Sequence, residues 1–464
     1  MVFSSIVFIL YFLPVFLVIY HLVPTVKGKN IVLFIFSLGF YFWGAGKLLV
    51  LLPAVGILAW VFSWLIARTG HKKLYMVISI LTFAGILIYN KYLGFIIDNL
   101  IYAGVEGLPE LTGLSTLGVS FFTFQAISYN IDVYRKNQRF EKNPAYIMLY
   151  ISMFPQLISG PLVRYPQLEP SLKNRKVDLQ DFSEGARRFI IGLGKKVLIA
   201  NQLGYLVARV VDDSMITIGP GLAWATMAVF TLQIFFDFSA YTDMALGVGR
   251  MLGFKLPENF NYPYISRSIT DFWRRWHMSL AAWIKDYIFT PLAFNMRYWG
   301  KAGIVIALLI TFAVCGLWHE PTWNFLLWGV VQGIFLGLEE LFLLKWLKKL
   351  RIFAVLYTWF IILCCVVLFR TGNLSEALDF LGIMFSPAPE NALGLVNFFS
   401  MQHVIILGVA LILCVPLPRP RLLNKPRWKT ISSYTGSLLL FIVFLLSLMR
   451  LVAETHHPFI YFRF

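Results

Sequence analysis

Two of the chain's seven histidines lie among dense polar and aromatic residues, which is the setting that proton-transfer chemistry needs. His319 closes an apolar run, directly after Trp318 and two residues before Pro321, which stops or kinks a helix. Histidine suits proton transfer near neutral pH because small environmental shifts move its charge state through that range. His319 is therefore a candidate site residue, and a structural histidine is the alternative.

The second such histidine, His277, follows a helix-start signal. Ser268 with Asp271 three residues later is a variant of the capping box, which predicts a helix beginning there. On that helix Trp273 would be the i, i+4 neighbour of His277, with Arg274 three residues before it. The alternative is an interfacial belt of arginines and tryptophans: Arg274, Arg275, Trp273, Trp276 and Trp283.

Two carboxylates belong to a third polar stretch, Gln233–Asp243. Asp237 and Asp243 end an apolar run close to Ser239 and Tyr241 in the sequence. Alternation with aromatic residues is poor chemistry for a metal loop. We therefore expect no metal site and favour roles in pairing with arginine and in positioning a histidine.

Most of the chain around these residues is apolar. Hydrophobic residues make up 59% of the sequence and charged residues 14%, whereas a soluble domain carries roughly 25% charged residues. We predict an all-α, polytopic integral membrane protein with about 11–12 transmembrane helices plus re-entrant or interfacial helices. The candidate spans are approximately Phe3–Val23, Ile31–Phe42, Leu48–Ala67, Leu74–Tyr89, Leu114–Tyr129, Ala145–Ile158, Leu222–Phe236, Ile304–Trp318, Phe325–Phe342, Phe353–Phe369, Val404–Leu417 and Leu438–Val452.

The formal net charge is +17. In a membrane protein such an excess indicates basic loops on the cytoplasmic face rather than nucleic-acid binding, and it could also attract an anionic cytosolic substrate. Arg297 and Lys301 precede the span that ends near His319, and a basic cluster from Lys345 to Arg351 follows the next span. A helical hairpin with His319 in its turn is predicted, and if both open ends are cytoplasmic, the turn is remote from the cytosol.

No soluble domain or internal repeat is visible, so we predict one membrane-embedded domain, residues 1–464, whose catalytic region covers about 136–332. The stretch Phe182–Leu198 is typical of an interfacial amphipathic helix. Its cationic face is either a surface anchor or a phosphate site: Arg187, Arg188, Lys195 and Lys196.

Small residues elsewhere indicate packing. The glycines of Gly247–Gly253 predict a close helix contact rather than a nucleotide loop, since no βαβ pattern surrounds them. The four cysteines lie inside apolar runs and are expected to be packing residues: Cys315, Cys364, Cys365 and Cys414.

The stretches Gln233–Asp243, Glu258–Leu280 and Gly316–His319 resemble the membrane-bound O-acyltransferases. They are most similar to the bacterial branch that O-acetylates exported polysaccharides such as alginate, and Phe122–Tyr134 and Phe154–Arg164 also match it. The chain departs from the family pattern where Glu320 and Pro321 replace a glycine after the last histidine. It departs again where Gln332 stands in place of a frequent third histidine, since glutamine can hydrogen-bond but cannot titrate.

The resemblance implies the family fold and transfer of an acetyl group from a cytosolic thioester donor, acetyl-CoA or another acyl thioester such as an acyl carrier, with no permanently bound cofactor. His319 would be the general base, and His277 would orient it, hydrogen-bond or share the proton. Four cationic residues would bind the phosphates of coenzyme A: Arg274, Arg275, Lys195 and Lys196. The residues expected to bind donor or substrate are Arg274, Arg275, Trp276, Asp237, Asp243, Gln233, Tyr241, Trp318, Lys195 and Lys196.

The resemblance also implies a place and an acceptor. We expect the bacterial cytoplasmic membrane, with an exported polysaccharide or an extracytoplasmic SGNH-type acetyltransferase as acceptor. Two alternatives stay open at this stage. A related enzyme could transfer D-alanyl groups or modify peptidoglycan, and a non-enzymatic lipid or glycan transporter would have the same spans.

Overall fold

The computed structural model describes residues 2–109, 118–136, 138–158, 160–212, 217–389, 392–393, 395–417 and 426–453. Within these ranges, nine helices are long and apolar enough to cross a membrane. This confirms an all-α, multi-pass membrane protein. The nine are Val26–Ala45, Leu48–Arg68, Lys72–Tyr102, Leu179–Val211, Pro220–Met251, Arg297–His319, Trp323–Leu347, Arg351–Arg370 and Tyr434–Ala453.

Shorter helices complete the described fold. Phe8–Leu22 and Met401–Leu413 are apolar but fall below the length of a full span. The remaining helices are Val119–Tyr134, Pro144–Ser152, Phe154–Leu157, Tyr165–Lys173, the 3₁₀ turn Pro263–Ile265, Ile269–Trp273, Met278–Ile284, Thr290–Asn295, Leu374–Phe385 and Leu395–Phe398.

The chain divides into two compact units, which we call the first and second units. The first consists of Met1–Phe189 with Thr242–Pro257, and the second of Ile190–Tyr241 with Glu258–Phe464. Both candidate histidines belong to the second unit. That the whole chain forms one domain stays a prediction.

Several predicted elements differ from the structure, among them Phe3–Val23 and Val404–Leu417, whose helices Phe8–Leu22 and Met401–Leu413 are shorter than a full span. Ala145–Ile158 is wrong as one span: the helix ends at Ser152, because Pro155 lacks an N–H and cannot lie inside a continuing helix. The predicted Leu114–Tyr129 begins outside the described residues, and its remainder lies in the buried helix Val119–Tyr134. The stretch Phe182–Leu198, predicted as an interfacial helix, lies inside a 33-residue helix, Leu179–Val211, which is long and apolar enough to cross a membrane.

Small residues pack as expected. In the first unit, a Cβ on Gly247 would lie 2.6 Å from the Gly185 carbonyl oxygen, so the two helices cross there almost backbone to backbone. The four cysteines are free thiols; three are buried and Cys364 is half-buried. Both observations confirm the packing interpretation of these residues.

Candidate active site

His319 ends one arm of a tight helical hairpin, Gly300–His319 and Trp323–Leu338. A Cβ on Gly316 would lie 2.1 Å from the Phe325 carbonyl oxygen, and one on Gly329 equally close to that of Phe312. No side chain fits at either position, so glycine lets the two arms touch. The predicted hairpin with His319 at its turn is confirmed.

Aromatic rings surround the His319 imidazole, which is only 6% exposed. Its ring centroid lies 4.8 Å from that of Trp318, 5.4 Å from Trp328 and 5.6 Å from Phe369. The two last contacts come from neighbouring helices of the same unit. The imidazole is therefore held in one place by packing on several sides.

His319 lines a cavity of about 70 Å³ in the second unit. Its walls are mostly aromatic and aliphatic, with a few hydroxyl, amide and thiol groups among them, a composition typical of a small-molecule site. The lining residues are Thr231, Ile234, Tyr264, Phe272, Trp273, Trp276, His319, Trp328, Gln332, Ile362, Cys365, Val366 and Phe369.

Gln332 occupies a polar position in this wall. The Trp273 indole Nε1–H donates to Gln332 Oε1 at 3.1 Å. Gln332 is 3% exposed, so this hydrogen bond is protected from water. The residue that replaces a frequent histidine thus fixes one wall of the cavity without titrating.

The predicted helix through His277 is wrong beyond its first turn. It begins at Ser268, whose hydroxyl accepts from the Asp271 N–H at 2.9 Å, but it ends at Trp273. His277 has φ +44°, a left-handed conformation, and a new helix starts at Met278. Trp273 and His277 therefore do not lie one turn apart on a single helix.

Asn259 explains this break. Its backbone oxygen accepts from the Met278 N–H at 2.9 Å, and its side-chain Oδ1 accepts from the Ser279 N–H at 3.1 Å. His277 Nδ1 also lies 3.1 Å from Asn259 Oδ1. Because that oxygen can only accept, the Nδ1 of His277 carries the proton.

His277 is 1% exposed, and its ring meets that of Phe238 edge-on at 4.7 Å. Burial lowers the pKa of His277 to about 3, so the ring stays neutral near pH 7. His277 is absent from the residues that line the His319 cavity. A neutral ring that donates to Asn259 suits the expected orienting role better than proton sharing.

The two arginines before His277 differ in their surroundings. Arg275 Nε donates to Asp271 at 2.9 Å, and its Nη1 lies 3.3 Å from the Asn261 carbonyl oxygen. Arg274 is exposed. Arg274 is accordingly the better placed of the two to meet an anionic donor from solvent.

Lys196 is not on a solvated cationic face, which corrects the prediction. Its Nζ lies 2.5 Å from Asp237 Oδ1, with the two side chains 4% and 2% exposed. Lys196 lies in a π-type turn, Lys195–Ala200, and its partner Asp237 belongs to the helix Pro220–Met251, which covers it. Lys195, by contrast, is half-buried.

The other predicted residues are placed as follows. In the first unit, Asp243 accepts from Arg188 at 2.9 Å, which confirms a pairing with arginine, whereas Asp237 pairs with lysine instead. In the second unit, Gln233 packs on Gly204, where a Cβ would lie 2.7 Å from its Nε2. Tyr241 and Trp318 are buried. Of the ten residues that the sequence predicts to bind donor or substrate, Trp276 lines the cavity and the other nine do not.

Two residues that support the site were missed by the sequence analysis, Asn259 and Glu339. Asn259 gave no signal, because its role depends on the backbone break at His277. Glu339 gave one: it is an acidic residue inside a predicted span, where ionisable groups are costly unless they serve a purpose.

The chain is similar in sequence to a known protein family and to several known proteins. The family model described as membrane-bound O-acyltransferase matches residues 115–371, which include both histidines. A probable alginate O-acetylase of Azotobacter vinelandii is 36% identical over 401 residues, 83% of this chain and 78% of that one. One from Pseudomonas putida is 33% identical over the full length of both chains. A peptidoglycan O-acetyltransferase of Helicobacter pylori is 32% identical, covering 82% of this chain and 79% of its own.

Proposed function

This chain belongs to the membrane-bound O-acyltransferase family, and on that premise we propose that it transfers an acetyl group from acetyl-CoA toward an exported polysaccharide such as alginate. The observation that carries this proposal is His319 in a small aromatic cavity within a membrane-embedded unit. The alginate O-acetylases among its relatives support the acceptor class.

The size of the cavity favours a short acyl group. A single water needs roughly 10–15 Å³ of such space, and the cavity measures about 70 Å³. That volume suits a two-carbon acyl group better than a long chain. No carboxylate stands among the lining residues in the described part of the chain, so the ammonium of a D-alanyl group would lack an acidic partner there.

His319 acts as the general base. One imidazole nitrogen accepts the proton of the acceptor hydroxyl as its oxygen attacks the thioester carbonyl carbon. A C–O bond forms, the C–S bond breaks, and the imidazolium returns the proton to the leaving thiolate. Such proton transfer typically contributes about 10²–10⁴-fold to the rate. The surrounding tryptophans exclude water, which would otherwise hydrolyse the thioester.

We further propose how the donor is bound, what accepts the acetyl group and in which membrane the protein lies. Arg274 is exposed and lies in the sequence between the cavity-lining residues Trp273 and Trp276, and it meets the phosphates of the donor. The acceptor is the polysaccharide or an extracytoplasmic SGNH-type acetyltransferase that completes the modification. The bacterial cytoplasmic membrane is the membrane in which a cytosolic donor and an exported acceptor come together.

The test uses the full chain in lipid nanodiscs with acetyl-labelled acetyl-CoA and alginate oligomers. We expect release of free CoA and transfer of the labelled acetyl group to the oligomer. If acetyl-CoA is left intact while a D-alanyl thioester carrier is consumed, the acetyl proposal is wrong and the related D-alanyl transfer replaces it.

A further inference from the structure

Glu339 is a buried carboxylate inside the membrane-spanning helix Trp323–Leu347, with 1% of its surface exposed. Within the described ranges, no lysine or arginine nitrogen lies within 4.0 Å of it. A charged side chain in such a place is costly unless other groups satisfy it.

Four donors satisfy it, and three come from one short stretch. Glu339 accepts from the Ile269 N–H at 2.6 Å, the Thr270 N–H at 2.8 Å and the Thr270 hydroxyl at 2.7 Å. The Tyr357 hydroxyl donates at 3.2 Å. The first N–H groups of a helix have no partner within it and carry partial positive charge, so a carboxylate stabilises them.

The stretch that Glu339 caps is the tryptophan segment, which we define as Ser268–His277. It supplies Phe272, Trp273 and Trp276 to the walls of the cavity. Capping at Ile269 therefore fixes the start of the segment that forms much of the wall.

A second contact from the same helix holds the segment farther along. Gln332 accepts from Trp273, and Glu339 follows Gln332 by seven residues, about two helical turns, which places both on one face. The helix Trp323–Leu347 is thus hydrogen-bonded to the tryptophan segment at two positions, Gln332 and Glu339. This helix is also the second arm of the His319 hairpin. The two contacts therefore fix the position of the cavity wall formed by the tryptophan segment relative to His319.

Glu339 does not itself reach the reacting atoms. It lies 16 residues beyond Trp323, which begins the helix beside the hairpin turn, and 16 residues rise about 24 Å. Its effect on the reaction is transmitted through the tryptophan segment.

We propose that Glu339 is a positioning residue that aligns the tryptophan segment against His319. The inference rests on the acyl transfer proposed above. The decisive variant is Glu339→Gln, which keeps the shape but turns an acceptor oxygen into a donor facing backbone N–H groups. Glu340→Gln is the matched control, because that neighbour is exposed on the same helix.

Two measurements separate the outcomes. Steady-state kinetics should show kcat lowered about 10- to 100-fold in Glu339→Gln with KM for acetyl-CoA changed far less, since misplacing a reacting group by ~1 Å costs about 10²-fold. Hydrogen exchange should quicken in peptides covering residues 268–277 but not in those covering 300–319. Tyr357→Phe, which removes one of the four donors to Glu339, should give a smaller loss in kcat.

An unchanged kcat in Glu339→Gln, or exchange that is unchanged over 268–277, would overturn the positioning role. If the wild-type protein transfers no acetyl group at all, the proposed function fails, and the exchange comparison still decides whether Glu339 holds the segment. If Glu339→Gln quickens exchange over the whole second unit, Glu339 is a general structural residue and the proposal is wrong.

Discussion

The ammonium of Lys196 lies 2.5 Å from the carboxylate of Asp237, with both side chains almost wholly buried. The pair joins the helix Leu179–Val211 to the helix Pro220–Met251 within the second unit. Breaking a buried pair by removing one partner leaves an uncompensated charge, which typically costs about 3–5 kcal/mol.

We therefore expect Asp237→Asn to destabilise the protein strongly, whereas the double variant Lys196→Met/Asp237→Leu should be far less harmful because no buried charge is left alone. Thermal unfolding in detergent measures both. The control is Asp181→Asn, whose partner Arg250 is 39% exposed, and its effect should be small. Equal losses in Asp237→Asn and in the double variant would contradict this account of the pair.

Gln332 should act as a hydrogen-bond acceptor for Trp273, not as a proton carrier. Gln332→Ala leaves the indole N–H of the half-buried Trp273 without that acceptor, at a cost of about 1 kcal/mol, and should lower kcat. Gln332→His should retain most activity, since an imidazole nitrogen can accept the same bond. In a double-mutant cycle, Trp273→Phe should add little to Gln332→Ala. Additive losses would show that the two residues act separately.

A structural feature of this protein can be predicted from the sequence when it depends on residues that are close together in the chain. The apolar spans and the His319 hairpin follow from run length, flanking charges and a proline, all readable along the chain. The helix break at His277 does not, because it depends on hydrogen bonds to Asn259, eighteen residues away. The buried place of Lys196 is not readable from its own helix for a similar reason, because it depends on an ion pair with Asp237 on another helix.

The hairpin that carries His319 depends on glycine at its crossing. Gly316→Ala would place a Cβ against the Phe325 backbone, so the arms must separate and His319 must shift. We expect loss of activity and a lower unfolding temperature. Gly85→Ala is the control: its Cβ would meet no heavy atom within 4 Å, and alanine favours a helix over glycine by roughly 1 kcal/mol. Normal activity in Gly316→Ala would mean that the close crossing does not position His319.

The buried, neutral state of His277 predicts a pH dependence of stability. Burial lowers the pKa of His277 to about 3, below its ordinary value of 6.5. Between these values the unfolded chain binds a proton that the folded protein does not. Stability is therefore complete above pH 6.5 and falls as the pH drops, by up to about 2 kcal/mol at pH 5.

The variant His277→Asn should show a shallower fall in unfolding temperature between pH 7 and pH 5 than wild type, since asparagine tolerates the left-handed conformation and does not titrate. His71→Asn, at an exposed position, should keep the wild-type profile. Identical profiles for wild type and His277→Asn would refute the neutral, buried assignment.

The proton-accepting role of His319 is the central claim, and one comparison tests it most directly. Labelled acetyl transfer from acetyl-CoA should be measured in nanodiscs for wild type, His319→Ala and His71→Ala at matched protein levels. We predict that His319→Ala inserts normally and loses at least about 10²-fold in transfer rate, while His71→Ala keeps the wild-type rate. A correctly inserted His319→Ala protein that transfers acetyl groups at the wild-type rate would contradict the account.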